Sequence, residues 1–295
     1  MMIETWDEIR TAYQVARVGT VSGAAEVLGV HHATVIRHID ALEKRLGSKL
    51  FQRHARGYTP TEAGHELLKV AQTTEEQFSQ LVSRIKGTGE TVSGELVVTS
   101  INGISALLTP VFAAFQQAHP GVTIRFISDM RVFRLDYGEA HVAIRAGGTP
   151  QEADNVVQPL VRMQVGLYAS AGYVQRHGRP DNLAAMTHHR FVAAEDTSNR
   201  APFYRWMQAN IRPESIVYRA SDPTSVLDAV RGGIGIGFVN SRAGRDDTTL
   251  VEVMAPLPEW ESPLWIVTHV DLHRSLKVQS FLTILKQQAQ NWRCD

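Results

Sequence analysis

At residue 87 the hydrophobic rhythm of this 295-residue chain changes, and that change constrains the fold more than any other feature. Up to residue 86 the apolar positions recur three and four apart, the spacing of one helical face. Beyond residue 94 short strand-like runs alternate with helical ones, the pattern of an α/β unit. Between them Gly87-Thr88-Gly89-Glu90-Thr91-Val92-Ser93-Gly94 has linker composition. One core cannot serve both rhythms. The length suits two or three cores, since a domain usually closes at roughly 100–200 residues.

In the front part, breaks at Gly19 and at Gly29-Val30 divide the helical pattern into three helices. The first turns Trp6, Ile9, Tyr13 and Ala16 inward, and the second is the small-residue stretch Ala24-Ala25-Glu26-Val27-Leu28. In the third, Val35, Ile39, Leu42 and Leu46 form one buried stripe. Residues 49–53 and 57–59 then flank His54-Ala55-Arg56 as a two-stranded hairpin. Three helices and a hairpin over residues 1–60 describe a winged helix-turn-helix.

A long helix follows over residues 61–87, capped by Thr61 and free of Pro and Gly from His65 to Lys86. Along it Leu67, Ala71, Thr74, Phe78, Leu81 and Ile85 alternate steps of four and three, the seam of a coiled-coil dimer. A helix packed on its own domain is the alternative. After a hinge at 88–94, residues 95–295 read as two α/β lobes with largely parallel sheets and a cleft between them. Lobe I is expected over about 95–165 plus 268–295, and lobe II over about 166–267, including a strand at 264–267.

Composition excludes several classes. With 43% hydrophobic and 20% charged residues the chain is a folded one, and no apolar run nears the roughly 20 residues of a membrane span. The only cysteine, Cys294, rules out an internal disulfide. An acidic start, Glu4-Thr5-Trp6-Asp7-Glu8, is unlike a signal peptide, so the cytoplasm is the expected compartment.

The residues resemble the LysR-type transcriptional regulators over essentially the whole chain. The specific part is Ala24-Ala25-x-x-Leu28-x-Val30, then Val35-x-Arg37-x-Ile39-x-x-Leu42-Glu43-x-x-Leu46-Gly47-x-x-Leu50-Phe51-x-Arg53, then Arg56-Gly57 and Thr61-Glu62-Ala63-Gly64. Weaker matches are Leu135-x-x-Gly138-Glu139-Ala140-x-Val142-Ala143-Ile144-Arg145 and Ala229-Val230-x-x-Gly233-Ile234-Gly235-Ile236. The resemblance implies an effector domain similar to two-lobed periplasmic binding proteins, and a homo-oligomer, usually a tetramer built as a dimer of dimers, that controls transcription in response to a small molecule. Its partners would be double-stranded DNA, the effector, further copies of itself and RNA polymerase, with no membrane and no cofactor. The chain departs from the family at His31 (commonly Ser), His32 (Gln), Ile36 (a small hydroxyl residue), Pro60 (Leu) and His141 (Asp). These changes bear on which operator is read, not on the fold.

Formal charge is zero over the chain, 30 basic against 30 acidic residues, yet it is not evenly spread. Between Val30 and Pro60, Arg37, Lys44, Arg45, Lys49, Arg53 and Arg56 face only Asp40 and Glu43, so 6 − 2 = +4 falls where a recognition helix and wing would meet phosphates. The candidate DNA-binding residues are His31, His32, Ala33, Thr34, Ile36, Arg37, Arg53 and Arg56. Arg37 suits a bidentate guanine contact and His32 can donate or accept, while Ile36 packs either on a thymine methyl or into the core. Arg53 and Arg56 at the wing suit phosphate or the minor groove. His31, His32 and His38 lack the Cys or carboxylate partners of a zinc site, so no metal is expected; mild pH sensitivity of DNA affinity is.

Ligands of two-lobed α/β domains bind beyond the carboxyl ends of strands. The candidates are therefore Ser100, Asn102, Gly103, Arg145, Asp196, Thr197, Ser221 and Asp222, with Asp129 and Arg131 as rim residues. They would match a small polar effector carrying a carboxylate, held by Arg145. N-capping is the alternative for Ser100 and Ser221, and an interlobe salt bridge for Arg145. An oxidant-responsive regulator without disulfide switching is a second reading, carried by the seven Met residues. A catalytic residue is not expected: there is no Gly-x-Ser-x-Gly elbow or phosphate loop, and His269-Val270-Asp271-Leu272-His273 lacks the Glu of His-Glu-x-x-His. A transport-type solute-binding protein shares the two-lobed body but not the DNA-binding front.

Overall fold

The computed structural model describes residues 6–54, 57–85, 92–196 and 201–292. The front unit opens with α1 (Trp6–Val18), α2 (Val21–Leu28) and α3 (His32–Leu46), then β1 (Phe51–His54) and β2 (Gly57–Pro60). Thr20 caps α2 by accepting from the Gly23 N–H at 3.2 Å, and Gly29 ends it at φ 66°. Val35, Ile39 and Leu42 close the core with Ala12, Val15 and Leu50, whereas Leu46, expected on the buried stripe, is exposed. Gly57 is required by the wing: at φ 143° it passes so close to the α1–α2 turn that a Cβ would strike the Gly19 carbonyl. Next to it the Tyr58 N–H donates to that same carbonyl at 2.8 Å.

Helix α4 (Glu62–Ile85) leaves this unit along α1. Its first half is spent on its own domain: Leu67 packs on the front core and Ala71 is buried. Farther along, Phe78 meets Trp6 edge-on at 5.5 Å but stays half exposed, as do Val70 and Leu81. The expected seam therefore divides into an inward half and an outward half. Thr74 is half-buried, and the side chain of Ile85 lies outside the described ones.

The body contains β3 (Gly94–Ser100), α5 (Ser105–Ala118), β4 (Val122–Ser128), β5 (Val142–Ala146), β6 (Asn155–Met163), β7 (Val165–Ser170), α6 (Ala171–His177), β8 (Phe191–Ala194) and α7 (Pro202–Asn210). It continues with β9 (Ile216–Ala220), α8 (Pro223–Arg231), β10 (Ile236–Asn240), α9 (Ser241–Asp246), β11 (Leu250–Met254), β12 (Ser262–His269), α10 (Val270–His273) and α11 (Leu276–Ala289). Two five-stranded sheets result, ordered β4-β3-β5-β12-β6 and β11-β7-β10-β8-β9. Three differences from the sequence reading follow. The sheets are mixed rather than largely parallel, because each joins two parallel pairings to two antiparallel ones. The strand at 264–267 belongs to the first lobe, where β12 fills the place between β5 and β6. Strands β6 and β11 carried no clear period-two signal and were not anticipated.

The chain crosses between the lobes twice, after β6 and before β12. Glu261 ties the two crossings together, accepting from Gln164 at 3.1 Å and facing Arg162 at 3.4 Å. The first lobe is built on Leu108, Phe115, Phe281 and Leu285 from α5 and α11, and the second on Tyr173, Phe191 and Trp260. Each core covers one sheet, so the two lobes are packed as separate units.

Candidate functional site

The outward face of α3 is the first site. His31 stands at its N-cap without a side-chain hydrogen bond, and His32, Ala33 and Arg37 are exposed. Thr34 is half-buried, as is Ile36, which packs on the front core. His38 turns inward, its Nδ1 2.9 Å from the Thr11 hydroxyl.

Behind this face a buried carboxylate joins helix to wing. The Glu43 side chain is 2% exposed. Its Oε1 accepts from the Leu50 and Phe51 N–H groups at 3.0 and 3.3 Å, and its Oε2 from Lys49 Nζ at 2.6 Å and Arg53 Nη2 at 3.1 Å. Burial pushes the Glu43 carboxyl up, but the hydrogen bonds from Lys49, Leu50 and Phe51 outweigh it and hold the group below its ordinary range. Arg53 also donates to Asp40 Oδ1 at 2.6 Å and lies over the Tyr58 ring at 5.4 Å. In this structure the guanidinium is engaged inside the domain, tying the wing to α3. Arg56 lies outside the described residues. Arg45 pairs with Glu8 at 3.0 Å. Of the described members of the basic cluster, Arg37 and Lys44 alone have no carboxylate partner among the described residues.

The second site is a cavity of about 800 Å³ between the lobes. Ser100, Asn102, Gly103 and Arg145 line it, as do Asp129 and Arg131. Asp196, Ser221 and Asp222 do not, and Thr197 lies outside the described residues. Asp222 is a helix cap: it accepts from the Ser225 N–H at 2.9 Å and the Ser225 hydroxyl at 2.6 Å, which lowers its pKa. Ser100 donates to the Ile101 carbonyl at 2.9 Å rather than capping α5. Arg145 forms neither an interlobe bridge nor an open anion site, because it donates to Glu152 at 2.6 Å and to the Phe133 carbonyl at 3.1 Å within its own lobe. Reading strand ends overlooked Phe133, Phe203, Tyr204, Arg205 and Phe238, which also line the cavity. The aromatic run after Pro202, a proline at a helix start, was the available signal.

A third feature links the two sites. A polar cavity of about 640 Å³ lies between α1, α4 and the first lobe, and Arg131 and Phe133 line it as well as the interlobe cleft. Nearby, α4 touches the lobe through Gln72 Nε2 and His141 Nε2 at 3.2 Å and through the His65 and Tyr137 rings at 5.7 Å.

A winged helix-turn-helix joined through a long helix to a two-lobed domain with a central cavity is the build of a transcriptional regulator. Two family models match: the bacterial regulatory helix-turn-helix protein of the LysR family over residues 6–65, and the LysR substrate binding domain over residues 89–290. The chain belongs to the LysR family of transcriptional regulators. It is 28% identical over 291 residues to an HTH-type transcriptional repressor of Pseudomonas aeruginosa, covering 92% of this chain and 88% of that one. Its fold is similar to a full-length OxyR variant from Pseudomonas aeruginosa, with TM-score 0.73, 17% identity, and 98% and 96% of the two chains covered. It is also similar to full-length LysG from Corynebacterium glutamicum with bound effector Arg, with TM-score 0.67, 16% identity, and 97% and 98% covered. The relatives are regulators, not enzymes. Among the described residues no helix is long and apolar enough to cross a membrane.

Proposed function

We propose that this regulator binds an inverted-repeat operator as a homodimer or homotetramer, reads it with the start of α3, and is switched by a small molecule in the interlobe cleft. One observation carries the DNA-reading half: Arg37 projects from the exposed face of α3 without a carboxylate partner among the described residues, while Arg45, Lys49 and Arg53 around it are neutralised. Recognition helices contact base edges with their first turns, and an unpaired guanidinium there is matched to guanine O6 and N7. His32 and Ala33 share that face. Ile36 is half-buried and contributes at most an edge to a thymine methyl.

The outward apolar residues of α4, Val70, Phe78 and Leu81, support pairing with a second copy, whose own α4 would cover them. Switching has a physical route, because Arg131 and Phe133 border both the cleft and the cavity beneath α4. A ligand that binds one lobe arrangement better would move that segment and hence α4.

The test is selection of bound duplexes from a random-sequence library, followed by affinity measurements with Arg37→Ala. A palindromic consensus that loses discrimination at one position of each half-site, by about 1–3 kcal/mol per contact, is expected. An unchanged consensus and affinity would remove α3 from the role of reader.

A further inference from the structure

Most of the polar lining of the cleft lies on the first lobe, interleaved there with Ile101, Val132 and Phe133, while the second-lobe wall presents Val165, Phe203, Tyr204 and Phe238 beside Arg205 and Asn240. The aromatic wall is braced from behind. Phe203 and Phe238 lie 5.3 Å apart, and Trp260, fully buried, meets Phe238 edge-on at 4.9 Å and Trp206 at 5.0 Å. A wall held in this way is a pre-formed apolar surface, which costs a ligand little ordering on contact.

Charge on the lining is mostly used up. Arg131 pairs with Glu139 at 2.9 Å and stacks on Phe133 at 3.7 Å, and Arg145 pairs with Glu152 at 2.6 Å. Glu261 is held by Gln164 and Arg162, and Asp129 Oδ1 accepts from the Arg131 N–H at 3.0 Å. Among the guanidinium groups of the lining Arg205, on α7 beside Phe203 and Tyr204, is the exception: it is exposed and has no carboxylate partner among the described residues. The unmatched cation thus stands on the same helix as half of the aromatic wall. At about 800 Å³ the cavity is also far larger than a two- or three-carbon acid needs, lying in the range that encloses a ligand of many heavy atoms.

We propose that the effector is an amphipathic monoanion, an aryl- or branched-alkyl carboxylate whose apolar body lies on the Phe203–Phe238 wall and whose carboxylate is met by Arg205. This deepens, and rests on, the reading of the cleft as the switch of a DNA-binding regulator. It replaces the small polar ligand on Arg145 expected from sequence, since that guanidinium already has its acceptors.

Four probes test it by calorimetry and thermal shift on the full chain: 3-phenylpropanoate, 3-phenylpropan-1-ol, propanoate and phenylalanine. 3-Phenylpropanoate should bind best. Propanoate lacks the body and the alcohol lacks the charge, so each should bind at least about tenfold more weakly. Phenylalanine should also fall behind, because its ammonium, next to the carboxylate, would be brought beside the Arg205 guanidinium. Arg205→Gln, at an exposed position, should abolish the preference for the acid over the alcohol and leave the alcohol unchanged. Phe203→Ala should weaken both aromatic probes and leave propanoate unchanged; if that variant does not fold, the Arg205 comparison decides. Propanoate equal to 3-phenylpropanoate, an acid preference that survives Arg205→Gln, or no binding by any probe would each overturn the proposal. Retention of the selected duplex by the same preparation would then leave the regulator reading standing, whereas failure of the unaltered chain to bind DNA would sink that reading instead.

Discussion

Replacing Glu43 with Ala should undo the wing while leaving the effector lobes intact. Its carboxylate accepts from two backbone N–H groups, of Leu50 and Phe51, both residues being nearly inaccessible to water. Alanine leaves both donors unpaired in the core, at a cost of about 1–3 kcal/mol each, so about 2–6 kcal/mol in all. The ion pair with Lys49 adds little to that, because the lysine is 72% exposed and solvent screens it. Glu43→Gln keeps one acceptor oxygen for the amides and should lose about half as much. Hydrogen exchange resolved by residue separates local from global effects: the Leu50 and Phe51 amides should exchange faster, while those of Val192 in the second lobe keep their protection. DNA affinity should fall with wing order. The same carboxylate gives a pH signature. Its folded pKa lies below the unfolded one, so its stabilisation is present at neutral pH and is lost as pH falls through the depressed folded value. Unchanged exchange at Leu50 and Phe51 in Glu43→Ala would show that the buried carboxylate does not anchor the wing.

Other perturbations separate the remaining assignments. Arg53→Ala should lower the melting temperature of the front unit and leave the salt slope of DNA binding near that of the unaltered protein, because the guanidinium is held by Asp40 and Glu43; a slope reduced by about one would return Arg53 to phosphate contact. Phe78→Ser with Leu81→Ser should weaken self-association in sedimentation velocity without unfolding the chain, since both side chains are at least 41% exposed; an unaltered oligomer would place the interface elsewhere. Gln72→Ala removes the contact of α4 with His141 and should change how strongly a cleft ligand alters DNA affinity, with ligand affinity itself little moved; identical coupling in both proteins would exclude this contact as a route.

The two sites were not equally legible in the sequence. For α3 the period of Val35, Ile39 and Leu42 marks the inward side, so the outward position of His32, Ala33 and Arg37 follows from helix geometry alone. The role of Arg53 does not, because Asp40 and Glu43 are brought to it only when the wing folds back on α3. In the cleft, a rule about strand ends located Ser100, Asn102, Gly103 and Arg145 but missed the second wall, whose aromatic residues come from the start of α7 and from β10. Apart from the aromatic run after Pro202, nothing local distinguishes those positions from an ordinary apolar core.

Local periodicity, turn residues and the linker around residue 87 are properties of neighbouring residues. They determined the helical front, the long helix, the α/β body and the outward face of α3. Tertiary folding decided what depends on residues far apart in the chain: which lobe receives β12, which half of the α4 seam turns inward, and which charges are already matched. Arg145, Arg53 and Arg205 are alike as residues. They differ because Glu152 lies across a loop from the first, Asp40 and Glu43 lie across a wing from the second, and no carboxylate stands opposite the third among the described residues. Charge pairing acts over a few ångströms in space, and only the folded chain sets those distances.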